Sequence, residues 1–594
     1  MTTPILIAVA WPYANGDLHA GHLAGCLLPA DIFARFERLR GNDVLVVSGS
    51  DAHGTPITLA AQAAGIAPVE LFTHYHERFL TTLRALGISF DLFTHTDTAN
   101  HHAVSQTLFS RLYDRGYIFA APQQLLYSTR DHRFLPDRYV EGTCPVCGDE
   151  SARGDQCDSC NTLLNGTDLL HPRHAGDPPG QLVTQIELRE SEHLFLNLPA
   201  LAEALETYLA DNTAHWRANV RNFTRNFVAG GLKPRPISRD LDWGIPVPLP
   251  GWEEKKLYIW FENIIGYLSA TIEWAQLNGT PDAWHRFWYN PAARSYYFLG
   301  KDNIPFHTIF WPAELLGAAR LPGAPAGAHF NLPYDVPANE HLTILRRTLS
   351  KSRRWAIWLP ELLAQYDIDS IRYAFAANLP ESRDGDFTWE SFLQKINGEL
   401  VAKWGNLAYR VLSFAYKHWD GVVPAPGPLT PLDETLRLTI TAGFDRVTAL
   451  LEAVQPRAAL TEAIRLAGAI NSYLDEAPWF GVITTDRAAA ATTVYTALWA
   501  VDSLKLLLAP YLPDSCQRLH EQFGYAGALF GTAYIETVGE PGDRHDVLRY
   551  DGSAATGRWA LSDLQPGQKL CQPQALFPKL DDDIVVYEYR RLTA

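Results

Sequence analysis

The chain opens on an unbroken apolar run, Ile5-Leu6-Ile7-Ala8-Val9-Ala10, closed by Pro12-Tyr13-Ala14-Asn15-Gly16. Residues 4–10 therefore read as a strand buried on both faces. A helix is expected over 17–40, starting near His19-Ala20-Gly21-His22. A second strand follows over 43–51, with polar residues at its C-terminal end. Strand, helix, strand is how a parallel α/β sheet begins, and ligands of such sheets collect beyond the carboxyl ends of the strands. Tyr13, His19, His22 and Asp51 all fall there.

Residues 55–115 read as helices. A Gly/Pro-punctuated stretch from 116 to 240 looks like an insertion with short elements of its own, ending in a helix with Arg217, Arg221 and Arg225 along one face. Strand signals return at Leu257-Tyr258-Ile259-Trp260 and Tyr296-Tyr297-Phe298-Leu299-Gly300. A turn-rich segment, 318–341, precedes Leu342–Arg354. From 391 to 525 apolar residues recur at helical spacing. The tail, 545–594, is broken by Pro and Gly and carries a strand-like Asp583-Ile584-Val585-Val586-Tyr587. No internal repeat is evident.

Composition narrows the class. A chain of 594 residues, 47% hydrophobic, has room for several domains and needs no disulfide staples. A net charge of −16 excludes a polycationic surface, while leaving room for a local basic face. No run approaches the roughly 18 apolar residues of a membrane span. The first cation is Arg35, so the apolar start lacks the basic flank of a signal peptide, and a cytoplasmic location is expected. Four of the seven cysteines cluster and three are scattered, which suits a metal site in a reducing compartment.

Four constellations carry chemistry. In His19-Ala20-Gly21-His22, two imidazoles share one face at a helix start, beside the free N–H groups of the first turn, a setting suited to phosphate. Arg346-Arg347-Thr348-Leu349-Ser350-Lys351-Ser352-Arg353-Arg354 interleaves cations with hydroxyls, as a polyphosphate site would. Cys144-Pro145-Val146-Cys147 and Cys157-Asp158-Ser159-Cys160 supply four thiolates for a structural, tetrahedral zinc with no open position. Asn406 and Arg410 lie one turn apart on a helix, and Pro478-Trp479 ends another with an indole placed to stack on an unpaired base.

In this order, and with further blocks between them, these residues resemble the methionyl-tRNA synthetases, a family of class I aminoacyl-tRNA synthetases. The resemblance is carried by residues 12–22, Asp51-Ala52-His53-Gly54-Thr55-Pro56 and Ile237-Ser238-Arg239-Asp240. Gly300-Lys301-Asp302, Phe306-His307, Phe310-Trp311-Pro312 and Ser350-Lys351-Ser352 extend it to nearly the whole chain. It implies an α/β fold: a Rossmann-like parallel sheet split by a zinc-bearing connective insertion, then an all-helical anticodon-binding domain. The expected divisions are 1–115 and 236–325 for the two catalytic halves, 116–235 for the insertion and 326–390 for the phosphate-loop region. The helical domain takes 391–540 and a tail packing back on the core takes 541–594.

The resemblance also implies roles. His19, His22 and Lys351 would be catalytic, and Asn15, Gly16, Gly21, Ser350 and Ser352 would join them around ATP and its Mg²⁺. Asp51 would hold the amino-acid ammonium, with Arg239 and Asp302 as a bracing pair. Trp11, Tyr13, Trp260, Asn263, Ile264, Tyr267, His307 and Trp311 would line the side-chain pocket, where aromatic walls suit a thioether. Asn406, Arg410, Pro478 and Trp479 would read the anticodon. Partners would be ATP, methionine and methionine tRNA, with no membrane. No oligonucleotide-binding extension follows the tail, so a monomer is expected.

Three features depart from the family pattern: the phosphate loop, the pocket block and the methionine count. Thr348 stands where the phosphate loop usually begins with Lys, Arg346 replaces a Gly, and slower adenylation is expected. Asn263 replaces a small Ala beside the substrate side chain, and a buried amide demands partners. Trp11 replaces the more frequent Leu. Met1 is the only methionine, which fits a specialised second synthetase made when the housekeeping enzyme is inhibited, or compositional drift. The alternative activities are activation of another amino acid for a non-tRNA acceptor, and silent tRNA binding.

Overall fold

The computed structural model describes residues 2–157, 159–160, 162–175, 177, 185–349 and 355–593. The apolar start forms β1 (Pro4–Val9), with Ile5 to Val9 all buried. It is flanked in parallel by β2 (Asp43–Ser50), Ala8 facing Val47, and on its other side by β4 (Arg294–Gly300), Ala8 facing Tyr297. Beyond β2 lies β3 (Leu92–His95), also parallel, and beyond β4 the short β5 (Ala338–Asn339). The strand β3 corrects the all-helical reading of 55–115: with four residues it is too short to show an alternation.

Two further strands, β6 (Thr532–Val538) and β7 (His545–Asp551), form a hairpin that adds antiparallel to the sheet edge, Leu548 facing Phe93. The sheet order is β5-β4-β1-β2-β3-β7-β6. The C-terminal part of the chain thus completes the sheet that its first residues begin. The hairpin spans residue 540, where the sequence suggests the end of the helical domain.

The insertion has its own framework, a long antiparallel pair of Ile118–Ser128 with Ile186–Leu196. A small three-stranded sheet (Val140–Thr143, Ala152–Arg153, Leu170–His174) carries the cysteines. Leu126, Leu135, Tyr139, Val140, Cys144, Ala152, Cys157, Leu164 and Leu169 form a core separate from the main ones.

Long helices (Pro431–Glu452, Pro456–Glu476, Arg487–Leu508) follow the catalytic part and share one continuous apolar core with it. The fully buried Arg372 joins the two regions, giving hydrogen bonds to Asp31 (2.6 Å) and to the carbonyls of Leu86, Pro510 and Tyr511.

Two expected strands are not formed. Strand geometry stops at Leu257, and Ile259–Leu277 is a helix. The tail segment at 583–587 lies in the helix Ile584–Thr593. The β-branched Val585 and Val586 favour a strand locally, yet Ile584, Val585, Tyr589 and Leu592 recur at helical spacing and pack on the core. Glu588 is buried there, accepting from the Tyr366 hydroxyl (2.8 Å).

Candidate active site and metal cluster

The ladder between β1 and β2 runs on past both strands: Asp51 N–H donates to Pro12 O (2.9 Å) and Ala14 N–H to Asp51 O (3.1 Å). This fixes Tyr13 and Asp51 side by side at the carboxyl edge of the sheet. Asn15 and Gly16 form the half-buried turn that leads to His19.

His19 is the N-cap of the following helix. Its Nδ1 accepts the Gly21 N–H (3.1 Å), and His22 Nδ1 accepts the His19 N–H (3.1 Å), so each imidazole caps the other's backbone. The rings lie 3.9 Å apart. A nitrogen that accepts carries no proton, so in both neutral rings the proton sits on Nε2. This corrects the expectation of free first-turn N–H groups. Gly21 N–H is capped, Ala20 N–H donates to Ile357 O (2.8 Å) and His22 N–H to His19 O (2.9 Å), so the first-turn N–H groups are already engaged. The helix continues through a wider turn at Leu23–Leu27 into Leu28–Leu39.

Gly21 allows a close approach. A methyl group there would meet His19 Cε1 at 2.9 Å and Leu349 Cδ1 at 3.1 Å. Leu349, at the described end of the basic segment, therefore packs beside the turn that carries His19 and His22. Leu359 N–H donates to Leu18 O (2.9 Å), which fixes the start of the following helix beside this turn. Leu345 and Arg346, at φ of 51° and 59°, make the left-handed turn joining Leu342–Ile344 to Arg347–Thr348. A Gly would be easiest at such a φ, which is why the replacement of Gly by Arg346 stands out. The Arg347 guanidinium rests 4.2 Å over the Trp355 ring. Ser350, Lys351 and Ser352 lie outside the described residues.

Trp260, Asn263, Ile264 and Tyr267 share one face of the helix Ile259–Leu277, at the i, i+3, i+4, i+7 spacing. This is what the helix, in place of the expected strand, achieves. Trp260 stacks on Phe306 with centroids 4.0 Å apart. The Tyr267 hydroxyl meets His307 Nε2 (2.7 Å), while His307 Nδ1 meets Asn303 O (2.9 Å). The carbonyl can only accept, so Nδ1 bears the proton and the tyrosine donates. Burial lowers the His307 pKa to about 4 and keeps the ring neutral. Trp311 is fully buried against Trp288, its indole N–H on the Tyr297 hydroxyl (2.9 Å). Trp11 fills space left by two glycines: a methyl on Gly49 would lie 2.0 Å, and one on Gly266 2.7 Å, from its ring.

Around Asp51 the structure assembles a network that sequence reasoning missed. The carboxylate accepts the Asn263 Nδ2–H (2.6 Å) on one oxygen and the His53 backbone N–H (3.1 Å) on the other. His53 Nδ1 lies 3.0 Å from Glu262 Oε1 and its Nε2 3.4 Å from Asp97 Oδ1, while His101 Nε2 lies 2.8 Å from Glu262 Oε2. Burial first, then the like charge of Glu262, pushes the Asp51 carboxyl well above its ordinary value, with His53 and Asn263 opposing. Burial alone would depress His53, but Glu262 and Asp97 outweigh it and raise it to about 10. The site is therefore a buried imidazolium between carboxylates, beside an Asp51 that a further cation would stabilise as the anion. His53 and Glu262 sit inside recognisable sequence blocks, but no local signal marks them as partners.

The expected brace between Arg239 and Asp302 is not formed. Arg239 pairs with Asp137 (3.3 Å) and stacks 3.5 Å over Tyr258, and Asp302 pairs with His341 (2.9 Å). The two belong to separate ion pairs because the insertion supplies Asp137, a partner that spacing cannot foresee.

In the insertion, Cys144, Cys147, Cys157 and Cys160 bring their sulfurs within 4.8 Å of one another, Cys144 to Cys160 at 3.8 Å and Cys147 to Cys157 at 3.5 Å. Tetrahedral thiolates at about 2.3 Å from zinc would be spaced by about 3.8 Å, so the cluster fits a metal ion of that kind. Val146 N–H points at Cys144 Sγ (3.4 Å), and Gly148, at a φ of 78°, turns the chain back.

At the helical end Asn406, Arg410 and Pro478 are exposed. Arg410 reaches Asn471 Oδ1 (3.1 Å) and lies 5.5 Å over the Trp479 ring. The Trp479 indole N–H is spent on Leu474 O (2.8 Å) and its ring packs edge-on to Phe414 at 4.8 Å. The next residue, Phe480, is 72% exposed, an aromatic face that the sequence reading passed over. Among the described residues no helix is long and apolar enough to cross a membrane.

Comparison with known proteins agrees with this geometry. Residues 5–412 match the family described as tRNA synthetases class I (M), and residues 423–537 match the anticodon binding domain of methionyl tRNA ligase. The methionine–tRNA ligase of Thermomicrobium roseum is 53% identical over the whole of both chains, and that of Roseiflexus castenholzii is 49% identical over 100% of this chain and 99% of its own. The structure of Mycobacterium tuberculosis methionyl-tRNA synthetase in complex with methionyl-adenylate superimposes with a TM-score of 0.75 at 27% identity, covering 97% of this chain and 100% of the other. Sequence, fold and site together place this chain in the class I methionyl-tRNA synthetase family.

Proposed function

We propose that this protein activates methionine with ATP, giving methionyl-adenylate and pyrophosphate, and transfers the methionyl group to methionine tRNA. The observation that carries the reading is the full-length relationship to methionine–tRNA ligases, which runs through both the site at the sheet edge and the helical domain.

In the first step the methionine carboxylate attacks the α-phosphorus and pyrophosphate leaves, so negative charge builds on the phosphates. Preorganised donors are worth most at such a moment. His19 and His22, their Nε2–H groups set by mutual capping, are assigned to those phosphates, with Lys351 toward the leaving pyrophosphate. Asn15, Gly16 and Gly21 let the nucleotide approach the backbone, with Ser350 and Ser352 beside it. Mg²⁺ carried with ATP would neutralise further charge. Asp51 is assigned to the ammonium, and the helix face from Trp260 to Tyr267 with His307 to the thioether side chain. Neutral His307 and a tyrosine already committed to it present little charge to an apolar ligand.

The four thiolates are assigned to one structural zinc, which would close the insertion around its small core. Asn406, Arg410 and Pro478-Trp479 are assigned to the anticodon, where unpaired bases are held by stacking and edge hydrogen bonds.

The test is amino-acid-dependent ATP–pyrophosphate exchange followed by charging of tRNA, with zinc content measured on the same preparation. Methionine alone among the proteinogenic amino acids should support exchange, with one zinc per chain. Exchange with a different amino acid, or tRNA binding without exchange, would overturn the proposal.

A further inference from the structure

Asn263 is the one amide on the helix face assigned to the amino-acid side chain, and it is 9% exposed. An uncompensated amide beside a thioether would cost binding energy. Its Nδ2, however, is turned away from that task. It donates to Asp51 Oδ2 in a short hydrogen bond of 2.6 Å. The second Asp51 oxygen takes the His53 N–H, so both carboxylate oxygens are anchored from different elements, one from the loop after β2 and one from the helix. The Cβ of Asn263 belongs to the side-chain pocket, while its polar end belongs to the ammonium subsite.

We propose that Asn263 is a positioning residue for the α-ammonium subsite: it aims and holds the Asp51 carboxylate, and takes no part in choosing the amino-acid side chain. The proposal rests on Asp51 being the ammonium acceptor. It also explains how a polar residue in the pocket block coexists with an apolar substrate. The amide has a protein partner, so the substrate need not supply one. A single donor to a buried carboxylate is worth about a tenfold to hundredfold change in the affinity that the carboxylate provides.

Three substitutions separate donor from volume. Asn263→Leu keeps the branched outline with somewhat more bulk and removes the donor, Asn263→Ser keeps a donor and loses volume, and Asn263→Ala removes the donor without adding bulk if the leucine variant folds poorly. Each is assayed in the full-length protein by ATP–pyrophosphate exchange, with methionine and norleucine as substrates. Inhibition by 4-(methylthio)butanoate, which shares the side chain and carboxylate of methionine but has no amino group, is measured alongside.

Asn263→Leu and Asn263→Ala should raise the KM for methionine about tenfold or more, with kcat changed by less than about threefold. Asn263→Ser should recover much of the loss. Inhibition by the desamino acid and the methionine-to-norleucine ratio should stay within about twofold in all variants, because neither reads the ammonium subsite alone.

An unchanged methionine KM in Asn263→Leu overturns the proposal, as does an equal weakening of methionine and the desamino acid. So does a shift in the methionine-to-norleucine ratio, which would put the amide against the side chain. These outcomes leave the functional reading standing. Absence of methionine-dependent exchange in the unmodified protein overturns that reading, and this inference with it.

Discussion

The buried cluster at the sheet edge and the exposed end of the helical domain are built on opposite principles. At the sheet edge Asp51, His53, Glu262, Tyr267 and His307 are all buried, and each takes part in a hydrogen bond. On the helical domain Asn406 and Arg410 are exposed, and Trp479 is only half covered. A buried charge deprived of its partner keeps its desolvation penalty, whereas an exposed one returns to water. Side chains at the sheet edge are therefore tied to the stability of the whole molecule, while those at the helical end can change with little cost to it. This difference has direct experimental consequences.

The largest expected effect comes from Glu262→Ala. It strips His53 and His101 of their shared carboxylate, and breaking one side of a buried ion pair costs about 3–5 kcal/mol. The urea midpoint should drop, and methionine-dependent exchange should be lost at temperatures where the variant is still folded. A stability unchanged from the parent would erase the contrast drawn above.

Next in size is the pH dependence. His307 has a folded pKa of about 4, below its unfolded value of about 6.5, so its neutral form adds stability above pH 6.5 that is lost as the pH falls from 6.5 towards 4. The full shift is worth about 3 kcal/mol. His53 has the opposite sign. With a folded pKa of about 10, its contribution is complete below pH 6.5 and is lost as the pH rises through 10. Thermal unfolding followed from pH 4 to 10 should fall away on both sides. In His307→Gln the acid side should flatten, and if it does not, the neutral imidazole is not its source.

The smallest effect belongs to the exposed end. Trp479→Ala and Phe480→Ala should each weaken tRNA binding by about 1–3 kcal/mol if a base stacks there, with methionine-dependent exchange unaltered. Trp479 also packs on Phe414, so its variant should lose some stability, whereas Phe480→Ala should not. A tRNA affinity unmoved by Phe480→Ala would return the stacking role to Trp479 alone.

Much of the architecture was legible without coordinates. The buried run at Ile5–Val9, the helix from His19 and the strand to Ser50 rest on short-range periodicity, and all three are formed. The cysteine cluster was legible because both knuckles close within seventeen residues, from Cys144 to Cys160. The misread elements were those in which local preference and tertiary packing disagree. Val585 and Val586 favour a strand, but the surface they meet accepts a helical stripe, and Ile259-Trp260 likewise begins a helix.

The sequence by itself determined the identity of the chemistry-bearing residues and the thiolate knuckles, because each is settled within a few residues of chain. Only the tertiary structure decided that Asn263 serves Asp51 from 212 positions away, that Glu262 meets His53 from 209, and that Arg239 turns to Asp137 in place of Asp302. It also decided which of these groups are charged, since desolvation is set by everything packed around a side chain and by nothing in its immediate sequence.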